Sequence, residues 1–170
     1  MRALRPALLA AVTLLMSACT TDAAIRPGAS PVATAPSDRA GRCESAVQTG
    51  DLPEWARSGF TGTYYPPHLM GSRGDIVAVL FGYPLYQPPP AGRNNKILWV
   101  ERVPDFTADT LEIEAQLVDT VGSVHRQVPG GPGPSIVDLP QAGCWQLTLK
   151  WGGHTDTLEL SYLTPPTSSP

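Results

Sequence analysis

The sequence predicts an all-β domain built as a sandwich of two antiparallel sheets with about seven short strands. Three observations carry this expectation. Apolar and polar residues alternate over 111–117, 145–151 and 158–162, the period of two that gives a strand one dry and one wet face. Gly and Pro, 16 and 19 of 170 residues, interrupt the chain so often that no stretch holds helical periodicity for long. Turn chemistry separates the alternating segments at the short intervals that sandwiches show.

The elements follow in order from residue 43. Residues 51–57, Asp-Leu-Pro-Glu-Trp-Ala-Arg, read as one helical turn, with a proline near its start, Gly59 at its end and Trp55 as an anchor onto the core. Residues 60–65 read as a short first strand cut off by Pro66 and Pro67. After the turn at 71–75, residues 76–81 form an unbroken apolar run bounded by glycines, the mark of a buried central strand. Residues 82–95 read as a long Pro-rich loop whose Pro88, Pro89 and Pro90 stiffen it as polyproline II. Strands follow at 97–100 and 111–117. A Gly/Pro loop at 129–134 leads to a short edge strand at 135–139. Trp145, Leu147, Leu149 and Trp151 share one face of the next strand, with Cys144 on the polar face. Gly152-Gly153 then turns the chain into a last strand through Leu158, Leu160 and Tyr162, the strongest hairpin signal present. The sum is a sandwich of immunoglobulin-like type, without the Cys-Trp-Cys spacing of antibody domains.

The N-terminus reads as an address. Arg2 and Arg5 precede an uncharged apolar stretch over 8–16, too short to span a bilayer, and small residues follow. Met16-Ser17-Ala18-Cys19 resembles the bacterial lipobox, which implies cleavage before Cys19, thioether lipidation of its sulfur and membrane anchoring. Residues 1–18 are thus expected to be a lipoprotein signal peptide. Residues 19–42, rich in Ala, Pro, Ser and Thr, are expected to be a flexible linker reaching about 25–30 Å. The sandwich then occupies 43–163, and 164–170 is a frayed tail. The whole chain carries 12 basic and 15 acidic residues, a net −3; loss of Arg2 and Arg5 leaves a net −5. No Lys/Arg cluster provides the footprint of a nucleic-acid binder. With Cys19 lipidated, Cys43 and Cys144 form an even remainder in an oxidising compartment, and a disulfide between them is expected.

The stretches GSRGDIVAVLFGYPL, GRNNKILWV and PSIVDLPQAGCWQLTLKWGGHTDTLEL resemble uncharacterised exported lipoproteins of high-GC bacteria. The resemblance spans about 43–163 and implies a lipid-anchored immunoglobulin-like sandwich of the bacterial cell envelope. It brings no activity and no binding residues.

Candidate chemistry is sparse. Arg73-Gly74-Asp75 is a tripeptide that integrins read, in a place where a tight turn needs such residues anyway. His68, His125 and His154 lack metal-ligand spacing and fall in separate expected loops, so no metal and no cofactor is expected. His154 and Asp156 lack a nucleophile-elbow partner, and Glu112 and Glu114 suit the solvated face of their strand. No catalytic residue is assigned. Aromatic and proline residues in loops form two candidate binding groups: Tyr64, Tyr65 and His68 around Pro66-Pro67, and Tyr83 and Tyr86 beside Pro88–Pro90. Flat, rigid side chains of this kind suit protein or glycan contact at low entropic cost. The expected function is a non-enzymatic, lipid-anchored binding or accessory module with an envelope protein or polymer as partner. The alternatives are an envelope hydrolase of unrecognised type and a metal or small-ligand carrier.

Overall fold

A computed structural model describes residues 43, 46–60, 62, 65–104, 107 and 109–167. The expected signal peptide, Cys19, the linker, Tyr64 and the last residues of the tail lie outside the described residues. The described strands are β1 (His68–Met70), β2 (Ile76–Leu80), β3 (Leu85–Tyr86), β4 (Lys96–Glu101), β5 (Leu111–Leu117), β6 (Val124–Val128), β7 (Pro134–Ile136), β8 (Gly143–Trp151) and β9 (His154–Leu163). They form two sheets, β1-β2-β4-β7 (sheet A) and β3-β9-β8-β5-β6 (sheet B). The fold is the expected all-β sandwich, antiparallel throughout except where β3 runs parallel to β9.

The alternating segments become the frame of sheet B. Gly152 and Gly153, at φ 44° and 81°, turn β8 into β9 with Trp151 opposite His154. Positive φ at both loop positions matches the strand twist, which is why a Gly pair sits there. Leu111, Ile113 and Ala115 of β5, Leu147 and Leu149 of β8, and Leu158, Leu160 and Tyr162 of β9 all point inward. They meet Ile76, Ala78, Leu80, Ile97 and Trp99 from sheet A to form the main core. The opposite face of sheet B is wet: Glu112 and Glu114 stand beside His125 and Gln127 on one side and Lys150 and Thr148 on the other.

Sheet A differs, because its central strand β2 is dry on both faces. All five residues of β2 are buried. Val77 and Val79 point away from the main core and meet a second cluster with Leu52 and Ala56, against which Trp55, Phe60, Met70, Leu98 and Val100 pack. The helical turn of the N-terminal segment, a 3-10 turn at Glu54–Ala56 entered from Pro53, is the strap that covers this outer face. Trp55 therefore anchors to the outer cluster, not to the main core.

Several strand expectations need correction. Phe60, Gly62 and Tyr65 are not in a strand; Gly62 turns there at φ 84°, and the first strand starts after the Pro pair, at His68. His68 lies within β1, buried, and so is not a loop residue. The edge strand near 135–139 is β7, confined to Pro134–Ile136. Two strands carried too little signal to expect: β3, two residues inside the Pro-rich loop, and β6, whose Val124 and Val128 flank three polar residues. Residues 164–167 carry no regular secondary structure.

Polar groups tie the sheets together. Asp156 of β9 is fully buried, and its carboxylate accepts from the backbone N–H of Arg73, Asp75 and Thr157 at 2.7–3.0 Å and from the Ser72 hydroxyl. The β1–β2 turn of sheet A thus hangs on a side chain of sheet B. Gly71 leaves room for it, since a Cβ there would stand 2.2 Å from Asp156 Oδ2. Tyr162 donates its hydroxyl to the Val137 carbonyl, and Arg126 donates Nε–H to the Asp138 carbonyl. Burial, with the nearby Asp138 carboxylate adding to it, pushes ionisation of Tyr162 far above the ordinary phenol range. The Cys43–Cys144 disulfide is formed and closes a sequence separation of 101 residues.

Four outcomes are expected. Asp156→Ala lowers the urea-unfolding free energy by about 2–3 kcal/mol, because buried donors lose their acceptor. Gly71→Ala breaks the same contact, so the double variant costs less than the sum of the two singles. Reducing the disulfide lowers stability by roughly 3–5 kcal/mol, the loop-entropy value for about 100 residues. For Tyr162, the unfolded phenol ionises near pH 10 while the folded one stays neutral, so its contribution is complete below about pH 10 and falls above it. Wild-type stability should decline by up to about 1.4 kcal/mol per pH unit above 10 from this group, and Tyr162→Phe should remove that component. Chemical denaturation at pH 9 and pH 11 checks it.

Candidate functional site

One end of the sandwich gathers the loops that the sequence marks. Leu80, the last residue of β2, donates its N–H to the Pro67 carbonyl and accepts from the Tyr83 N–H. The Tyr65–Pro67 segment and the Gly82–Tyr83 segment therefore flank the same strand end. β4 begins there, with the Lys96 carbonyl accepting from the Gly82 N–H, and β7 ends there, with Ile136 opposite Lys96.

The Pro-rich loop at this end is held tightly. The buried Asn95 amide accepts from the Tyr86 N–H and donates to the Tyr86 carbonyl and the Asp138 carboxylate. Arg93 Nη2 donates to the carbonyls of Gly82, Tyr83 and Pro84, and its guanidinium lies 5.1 Å from the Tyr86 ring centre. The Tyr83–Pro84 and Gln87–Pro88 peptide bonds are cis. Gly82 is required by close approach: a Cβ there would meet the Asn94 carbonyl at 2.4 Å and the Lys96 nitrogen at 2.9 Å.

The five candidate binding residues separate under this geometry. Tyr65 is exposed, at 52%. Tyr83 is half-buried and packs on the main core. Tyr86 belongs to β3, which closes the β9 edge of sheet B, and its ring lies under Arg93. His68 is buried, with Nδ1 at 2.9 Å from the Pro66 carbonyl and Nε2 without a partner among the described residues. Tyr64 lies outside the described residues. Of the five, Tyr65 is the described residue that offers an open surface.

What joins Tyr65 is a row of residues the sequence reading did not single out. Tyr65 and Phe60 line one small pocket of about 110 Å³ with Leu52 and Arg57. Phe60 stacks on Phe81 with ring centres 6.1 Å apart. Phe81 is 42% exposed, and the Lys96 ammonium lies 5.5 Å from its ring centre. Lys96 then borders an open cleft of about 460 Å³, shared with Asn94, Pro134, Ser135 and Ile136, where Ile136 is 58% exposed. This row runs from the end of the strap over the outer face of sheet A. Phe81 was hidden in sequence as the last member of an apolar run. The signal that finds it is parity with Val77 and Val79, at the position where the strap stops.

The other candidates do not converge. His125 is on the wet face of sheet B, 2.6 Å from Glu112, while His154 stacks on Trp151 at 5.6 Å. Glu112 also accepts from Gln127, and Glu114 accepts from Ser123, on the wet face of sheet B. The Arg73-Gly74-Asp75 turn is bound down by Asp156, and Arg73 Nη1 points to the Thr155 carbonyl. Cys43, Cys144 and Glu159 come close together, but the two sulfurs are bonded to each other and are not thiolate ligands. Among the described residues no helix is long and apolar enough to cross a membrane.

In comparisons with protein families, curated proteins and solved structures, nothing matches this chain.

The geometry makes Gly82 the keystone of this end. Gly82→Ala should displace residues 94–96 and lower stability by about 1–3 kcal/mol, the range for overpacking. Amide NMR shifts should spread over both 82–86 and 94–97; changes confined to the substituted residue would contradict the close approach.

Proposed function

We propose that this chain is a non-enzymatic binding or accessory module of the bacterial cell envelope, anchored by a lipid on Cys19 and contacting an envelope protein or polymer through the exposed end of sheet A. The observation that carries the reading is the Tyr65–Phe60–Phe81–Lys96–Ile136 row: adjoining apolar surface, interleaved with a cation, on a rigid scaffold. Apolar patches of this kind mark interaction sites on proteins that otherwise keep such groups inside. The disulfide fits an oxidising, extracytoplasmic compartment. The lipobox-like Met16-Ser17-Ala18-Cys19 and the apolar stretch before it support the anchor. One acyl chain binds a bilayer weakly and two or three bind it durably, at about 0.8 kcal/mol per buried CH₂.

Two measurements test this. Cys19→Ala should move the protein from the membrane pellet to the soluble extracytoplasmic fraction and abolish acyl labelling; retention of both would refute the anchor. A photo-crosslinking residue at position 81 or 136, introduced in the native host, should trap one discrete envelope component. The same residue at Gln146, on the wet face of sheet B, should not. Equal trapping from both faces would refute the placement of the binding surface.

A further inference from the structure

Resting on the binding reading above, we infer that the exposed end of sheet A takes an extended acidic protein segment. Its carboxylates face Lys96 and Arg93, and an apolar side chain between them rests on Phe81 and Ile136. The charges argue for this. In a sequence with more acidic than basic residues, this end presents Lys96 and Arg93, with Asp51 and Glu54 on the strap and Asp138 after β7. Asp51 on the strap has Arg57 at 3.9 Å. The Asp138 carboxylate accepts from Asn95, and Arg126 reaches the carbonyl of that same residue. Lys96 and Arg93 are exposed and pair with no carboxylate among the described residues. Lys96 faces the Phe81 ring, and Arg93 spends Nη2 on backbone carbonyls. Opposite charge on a partner steers encounter and excludes wrong partners.

The shape argues for a protein segment over a bilayer surface. The cleft beside Lys96 is open and lined by Asn94, Pro134, Ser135 and Ile136, which leaves room for a protruding side chain. Two cations alone attract an anionic membrane only weakly. Strand addition at the β7 edge is restricted to one residue. Ser135 faces β4, Pro134 has no N–H to give, and the Asp138 carbonyl is taken by Arg126. Side chains, not a new ladder, therefore make the contact. Cys43, where the expected linker joins the sandwich, is bonded to Cys144 at the start of β8, and that strand start is paired with Tyr162, next to β3 at this same end. A partner held at the membrane is within reach of it.

The test uses the full chain carrying Cys19→Ala, a random twelve-residue peptide library displayed on phage, and anionic phosphatidylglycerol vesicles. Selected peptides should be net acidic with at least one aromatic or large aliphatic residue. They should shift the amide signals of Phe81, Lys96 and Ile136. Lys96→Glu should weaken them at least tenfold and Lys96→Met about threefold, with the wild-type affinity falling as salt rises. Lys96 is exposed, so neither variant should alter the unfolding midpoint. Selection of neutral or basic peptides, or indifference to Lys96→Glu, overturns the inference, and so does tighter binding to vesicles than to any selected peptide. Photo-crosslinking from position 81 separates the two levels. A trapped protein that Lys96→Glu does not release refutes the acidic partner and leaves the binding module standing. No adduct from either position 81 or 136 refutes both.

Discussion

Sheet A carries apolar side chains on both faces, and a four-stranded sheet cannot leave either in water at acceptable cost. Burying a Val or Leu side chain is worth about 1.5–3 kcal/mol, so the outward Val77, Val79, Leu98 and Val100 demand a cover as firmly as the inward Ile76, Ile97 and Trp99 do. Sheet B supplies the inner cover. The outer one comes from a short N-terminal strap whose Leu52, Trp55, Ala56 and Phe60 lie over β2 and β4. The strap is itself secured at two points, by the disulfide at Cys43 and by the backbone pair between Gln48 and His68. A cover of that length ends before the sheet does. Phe81 and Ile136 are outward positions of the same sheet that lie past it, and their exposure follows from where the strap stops.

The polar groups of the interior obey a related constraint. A sandwich held by apolar contact alone can slide, because area is non-directional. Asp156, Tyr162 and Arg126 each reach from sheet B to backbone groups that flank sheet A, at two places: Asp156 at the β1–β2 turn, and Tyr162 and Arg126 at the neighbouring carbonyls of Val137 and Asp138 after β7. These bonds fix the register between the sheets. They also occupy backbone groups at turns that would otherwise have no partner. Arg126 has a second effect. It is an inward-pointing charge on β6, the edge of sheet B, and with Pro134 on β7 and the two-residue β3 it makes the open edges poor templates for pairing with another chain.

How much of this was legible in the sequence depends on how each element earns its burial. The hairpin of β8 and β9, strand β5 and the buried β2 were readable because period and turn chemistry act over neighbouring residues. The disulfide followed from cysteine count and compartment. β3 was not readable, since its two residues are held by Asn95 and by the end of β9, both distant in sequence. β6 was not readable because its inward side includes Arg126, a charge that satisfies itself at a carbonyl twelve residues on. The candidate site was half legible. Tyr65 was singled out by its aromatic and proline company, but Tyr83, Tyr86 and His68 share that company and serve the scaffold. Phe81 follows β2, Lys96 opens β4 and Ile136 closes β7, and only the pairing of those strands brings the three to one face.

The distinction between scaffold and surface bears on what kind of function this fold supports. Here three buried polar side chains are engaged with backbone: Asp156 with the turn, Asn95 with Tyr86, Tyr162 with Val137. Their hydrogen-bonding capacity is spent on shape. The groups left open to solvent at the same end are of the opposite kind, flat or aliphatic surfaces beside a long flexible cation. Such groups gain by covering one another against a partner, since adjoining apolar surface loses its water and the cation meets an opposite charge in the same step. A rigid loop system lowers the entropy lost on contact, and the ties of Arg93, Asn95 and Gly82 supply that rigidity where the exposed residues stand. The elements that make this end stiff are therefore the ones on which the proposed contact depends.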